Sequence, residues 1–178
     1  MPAKKNPRQA AAVKSTSRVP AIPKASRPVF PDGYGLPKTM KGSVSWEWAQ
    51  QRLSDSHNYL LTSVRPDCRP HTMVVWGIWH ENAYFFSTGS VTRKARNLAA
   101  NPHCVVCNEN VEEAVIVEGE ARQLAVREIP ERAYGIYEKK YGWKLDPERG
   151  PVFKVTPRKV LAMPEKLFPA GATRWIFG

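Results

Sequence analysis

No stretch of the 178-residue chain approaches the roughly 18–20 consecutive apolar residues that a membrane-spanning helix needs, which excludes an integral membrane protein of that kind. Cysteine is scarce and odd in number, three in all, which speaks against a disulfide framework and for a reducing, cytoplasmic setting. The four histidines form neither HxxxH nor HExxH, so a zinc hydrolase has no support. A Gly-x-Ser-x-Gly elbow and a GxGxxG loop are both missing, which removes the serine-hydrolase and Rossmann readings. Acids are thinly and unevenly spread. The first 41 residues hold nine Lys or Arg against the single acid Asp32, and no acid occurs between Glu81 and Glu109.

What is there is a globular composition, 42% hydrophobic and 24% charged, with a net charge of +11. The length suits one domain with an added tail. Residues 1–27 have no hydrophobic periodicity, consist mostly of Pro, Ala, Ser and basic residues, and are expected to be a disordered basic tail. The tail lacks the apolar core of a secretory signal. It is open to reading as a transit peptide, as a weak electrostatic contact to nucleic acid or anionic lipid, or as a solubilising extension. Specific nucleic-acid binding is not expected, because aromatic residues are not interleaved with the basic ones. Residues 28–44, rich in turn formers and aromatics, read as an extended covering segment, and residues 45–178 as the domain proper.

Within that domain Ser45 caps a predicted helix with Trp46, Ala49 and Leu53 on one face. Strands are predicted at Tyr59–Val64, His71–Trp79, Ala83–Ser87, His103–Asn108, Ala114–Gln123, Val152–Val155 and Lys159–Ala162, with an extended Thr173–Phe177. Helices are predicted from about Val91 to Ala100, stopped by Asn101-Pro102, and along Ile129, Ala133 and Tyr137 to Gly142. Strands joined by tight turns with few helices imply an antiparallel barrel or sandwich.

The sharpest chemical feature is the junction from Phe85 to Asn97. A strand ends, Gly89 permits a turn, and a helix begins amid four hydroxyls (Ser87, Thr88, Ser90, Thr92) and three cations (Arg93, Lys94, Arg96). Cations in a helix's first turn oppose its macrodipole. An anion bound there reverses that penalty, so the junction reads as a phosphate site or, more plainly, as a solvated basic helix. The strand from His71 to Trp79 could support a flat heteroaromatic ring, or its aromatics could fill a barrel. His103-Cys104-Val105-Val106-Cys107 has CxxC spacing but lies in a β-branched strand where residues three apart face opposite ways, so no metal site is expected.

Together these segments resemble the pyridoxamine 5′-phosphate oxidase-like superfamily of flavin and deazaflavin proteins. The resemblance runs from about Ser45 to the C-terminus and is carried by Leu60–His71, Ser87–Pro102 and Thr173-Arg174-Trp175. It implies a mainly β (α+β) fold, a six-stranded antiparallel split β-barrel with a few short helices, acting as a homodimer with two cofactors at its interface. It assigns the cofactor phosphate to Arg93 and Lys94, assisted by Ser87 and Thr88. The ring falls to the strand bearing His71, Thr72, Val74 and Trp76, and pocket completion to Arg174 and Trp175 of the neighbouring subunit. The implied cofactor is FMN, with the deazaflavin coenzyme F-420 as alternative, and the implied activity hydride transfer to or from a small-molecule electron acceptor or donor. No side chain is named as a catalytic acid, base or nucleophile. A non-catalytic flavin- or haem-binding protein is the reading of another class. Trp76 stands where true pyridoxamine-phosphate oxidases place a lysine for the substrate phosphate, and Cys68 where relatives have a turn glycine. Pyridoxamine phosphate is therefore not the expected substrate.

Overall fold

The computed structural model describes residues 22–178. Nine strands form one antiparallel sheet: β1 (Lys24–Ser26), β2 (Tyr59–Val64), β3 (Pro70–Val75), β4 (Gly77–His80), β5 (Ala83–Ser87), β6 (His103–Asn108), β7 (Glu113–Gln123), β8 (Val152–Pro164) and β9 (Thr173–Ile176). Three helices accompany them: α1 (Trp46–Asp55), α2 (Arg93–Ala100) and α3 (Glu131–Tyr141). The hydrogen-bonded path runs β1-β9-β8-β7-β6-β2-β3, while β4 pairs with β5 and β5 returns to β8. Since β3 and β4 are separated only by Trp76, they act as one bent strand and close the sheet into a barrel. Six strands make up that barrel once β3 and β4 are counted together, as expected; β1 and β9 extend the β8 edge.

The inner faces fill the barrel with Tyr59, Leu61, Val106, Val115, Val117, Val155 and Val160. α1, capped by the Ser45 hydroxyl accepting from the Trp48 amide, closes one end with Trp46, Ala49 and Leu53. α3 lies outside the barrel on the opposite side of β4 and β5, packing Ala133 and Tyr137 on Ile78 and Phe85. Its first turn begins after Pro130, so Ile129 is buried just ahead of the helix rather than in it.

Three expectations need adjustment. The strand read as His71–Trp79 is broken at Trp76. The two short strands at 152–155 and 159–162 are a single β8, whose interruption by Pro157 and Arg158 is absorbed by a bulge opposite Gly119. Of the stretch read as an unstructured tail, Lys24–Ser26 pairs with β9. Behind it, Arg27 donates to the carbonyls of Thr39, Lys41, Ala170 and Ala172. Residues 1–21 lie outside the described residues. No helix among the described residues is long and apolar enough to cross a membrane.

Candidate functional site

β5 delivers Ser87 and Thr88 to the start of α2. The Thr92 hydroxyl caps the helix by accepting from the Ala95 amide at 3.3 Å, and it lies 3.1 Å from the Thr88 hydroxyl. α2 therefore starts at Arg93, and its first turn holds no acid. On its inner side the fully buried Asn97 donates from Nδ2 to Ser63 Oγ at 3.0 Å, which seats the helix on β2. Ser63 is paired in register with His71 of β3.

This docking gathers positive charge. The His71 imidazole is held below the ordinary histidine range, first by desolvation and then by the charges of Arg65, Arg93 and Lys94. Burial also pulls the Lys94 ammonium down. Four cationic or potentially cationic groups thus share one neighbourhood. Two of their nitrogens, Arg65 Nε and His71 Nδ1, are buried with no hydrogen-bond partner. Unpaired buried donors are costly. A phosphate fits this donor set, because it would partner the orphaned nitrogens and the open amides of α2 together.

Next to the α2 entrance is a cleft of about 260 Å³, bordered by Trp76, Ser87, Thr88, Tyr137, Trp143 and Arg149, among others. Trp76 is 42% exposed yet firmly seated: its ring stacks on Tyr141 at 4.8 Å and 9°. Tyr141 Oη accepts from the Gly77 amide at 2.9 Å and lies 2.8 Å from the carbonyls of both Gly77 and His57, to either of which it can donate. Beneath them Lys140 Nζ donates to Ser54 O, Tyr59 Oη and Gly77 O.

Thr72 and Val74 lie instead on the outer face of the sheet. A row of register partners runs Val74–Leu60–Cys107–Ile116–Leu161–Arg174–Ser26 across it, and a parallel row runs Thr72–Thr62–Val105–Glu118–Lys159–Ile176–Lys24. Arg174 is therefore on the same face as Val74 but at its far end, where Nε donates to Ser26 Oγ. A larger hollow of about 400 Å³ opens on this face around Thr62, Val64, Val105, Glu118 and Arg158; it is lined by none of Arg65, His71, Arg93 and Lys94.

Of the residues expected at the site, the fold brings His71, Arg93 and Lys94 together, and places Trp76, Ser87 and Thr88 around the adjoining cleft. Trp175 is a correction. It is 1% exposed in the barrel core, edge-on to Trp46 at 5.2 Å, and has no face to offer a ligand. Arg65 and Asn97 went unread in the sequence. Arg65 follows the last residue of β2, so the register of a hairpin pairing Ser63 with His71 was the signal that could have placed it beside the imidazole. Cys104 points into the barrel and Cys107 outward; burial pushes the Cys104 thiol up to about 12.

The model of the family described as pyridoxamine 5′-phosphate oxidase matches residues 46–163. No curated protein matches the chain in sequence. Among solved structures, the general stress protein 26 of Bacillus anthracis is similar at 19% identity and a TM-score of 0.54, over 66% of this chain and 92% of that one. An F420 reductase is similar at 21% identity and a TM-score of 0.51, over 62% and 94%. A heme binding protein from Mycobacterium smegmatis is similar at 15% and 0.57, over 66% and 53%. At these identities the likeness is one of fold.

Proposed function

Because the chain belongs to the pyridoxamine 5′-phosphate oxidase family, we propose that it is an oxidoreductase whose cofactor is FMN, held by its phosphate at the start of α2. The observation that carries this reading is the unneutralised cation cluster of Arg65, His71, Arg93 and Lys94 with its two orphaned buried nitrogens. When bound, the flavin supplies hydride transfer. The chain's own work is to bind and orient. Arg93 and Lys94 hold the phosphate as charge-assisted donors, and Arg65 and His71 partner its inner oxygens. Thr88 and Thr92 fix the helix entrance, and β3 backs the ring.

The same reading makes the protein a homodimer through the outer face. A two-fold axis near the middle of the Val74-to-Arg174 row superposes each end on the other end of a second copy. It would bring that copy's Arg174 to the Val74 end, which is how residues at opposite edges of one sheet can serve one cofactor. The deazaflavin coenzyme F-420 is the second reading, favoured by the similarity in fold to an F420 reductase and by the same phosphate site.

Absorbance of the purified protein tests the cofactor: oxidised-flavin bands support FMN, and binding only of added deazaflavin supports the alternative. Lys94→Ala removes a charge-assisted contact worth about 1.5–3 kcal/mol. It should weaken FMN binding about tenfold or more in a fluorescence titration. Unchanged affinity would move the phosphate elsewhere.

A further inference from the structure

Four of the six tryptophans, Trp46, Trp48, Trp79 and Trp175, are buried or packed against the core. The other two, Trp76 and Trp143, are 42% and 61% exposed, and both border the cleft beside the α2 entrance. Large exposed indoles at one concavity are unusual on a surface without a ligand to cover them. Trp76 is also preorganised. One face of its ring is backed by Tyr141, which does not border the cleft, so the side Trp76 presents there is the free one. The backbone beneath is pinned at Gly77 by Tyr141 Oη and Lys140 Nζ.

The charge around this platform is already spent. Lys140, the cation directly below, uses its three protons on Ser54 O, Tyr59 Oη and Gly77 O. Arg149 at the rim is paired with Asp146 at 3.2 Å. Exposed Lys144 is left at the rim, and the Ser87 and Thr88 hydroxyls are the polar groups at the α2 side. Such a site offers stacking and a few neutral hydrogen bonds, with no buried cation free for a dianion.

From this geometry we infer that the cleft binds the reaction partner of the cofactor as a planar, uncharged conjugated ring of quinone type, stacked on Trp76 and covered by Trp143. The inference deepens the flavin reading and rests on it for the ring's role as reaction partner. The binding claim stands on the cleft alone.

The test is equilibrium dialysis of the full chain, with and without FMN, against 2,3-dimethyl-1,4-naphthoquinone. Its blocked ring positions keep it from adding to the exposed Cys68 thiol. The expected result is saturable binding, weakened about tenfold in Trp143→Ala and restored in Trp143→Phe, since one aromatic contact is of that size. Trp143 lies outside the cation cluster, so FMN retention should not change in Trp143→Ala. Trp76→Leu should weaken the quinone at least as much. 2-Naphthyl phosphate should bind the FMN-loaded protein more weakly than the quinone. Equal quinone affinity in wild type and both tryptophan variants, or tighter binding of the phosphate ester, would overturn the inference. Failure to retain FMN would bring down the flavin reading instead, and the titration without FMN would still decide whether the cleft takes the ring.

Discussion

Cys68 adopts φ 64°, in the turn that brings Arg65 back toward His71. A Cβ in the left-handed region costs roughly 1–2 kcal/mol, which glycine avoids. Cys68→Gly should therefore raise stability by about 1 kcal/mol in urea unfolding, less whatever glycine adds to the unfolded chain's entropy. An unchanged midpoint would mean the turn relaxes at no cost. Lys140 makes the opposite kind of claim. Burial pulls its ammonium down to about 8, so between that value and the ordinary lysine range the unfolded chain binds more protons than the folded one. Stability from this group is lost as pH falls through about 8 and rises as pH climbs toward the unfolded value. Compared with Lys140→Met, the wild type should gain about 1–2 kcal/mol between roughly pH 8 and pH 10, discounted for its partial exposure. Parallel pH profiles of the two proteins would refute it.

The break between β3 and β4 shows what an element owes to its neighbours. A Cβ on Gly77 would collide with the ring and Oη of the fully buried Tyr84 on β5 and lie 2.6 Å from the Phe85 carbonyl oxygen. Gly77→Ala should cost about 1–3 kcal/mol by overpacking. The thermal midpoint should fall, and the Trp76 platform should loosen, read as lost quinone affinity. Alternation and turn residues made most strands legible in the sequence, because those signals are local. The bend at Trp76-Gly77 was not, since it depends on Tyr84 and on Tyr141 from α3, which are distant in sequence. β8 looked like two strands because Pro157 and Arg158 interrupt its pattern, and only Gly119 across the ladder shows that the pairing continues. At the site, hydroxyls and cations crowded at one helix start pointed to Arg93 and Lys94. Arg65 and Asn97 depended on hairpin register and on which side of α2 meets β2. Trp175 was misplaced for a related reason: four residues of extended chain do not say which face is inside, and Trp46 of α1 decides it.

At the scale of the molecule, the barrel has two surfaces of unlike fate. α3 covers β4 and β5, whereas among the described residues no helix lies on the face crossed by Val74, Leu60, Cys107, Ile116 and Leu161. Val74 is 57% exposed there, and the neighbouring row supplies a Glu118–Lys159 ion pair at 2.6 Å, a mixture typical of an interface with an apolar centre and polar margins. From Val74 to Arg174 the row crosses six strands, about 24 Å at the usual strand spacing, so one protomer cannot fold Arg174 back over its own Val74. Two copies related by a two-fold axis can. Leu60, register partner of both Val74 and Cys107, lies inside the row and outside the cation cluster. Leu60→Glu buries an unpaired carboxylate against the second copy's Leu161 on each side of the axis and desolvates it, while in a single protomer this exposed position tolerates the change within roughly 0.5 kcal/mol. Sedimentation should therefore show wild-type dimer and variant monomer at equal thermal stability. On the proposed arrangement FMN affinity should fall with dissociation, because each site would lose the second copy's Arg174. A variant that sediments as a monomer yet holds FMN as tightly as the wild type would mean that one protomer builds the whole site, and a variant that stays dimeric would place the interface on another face.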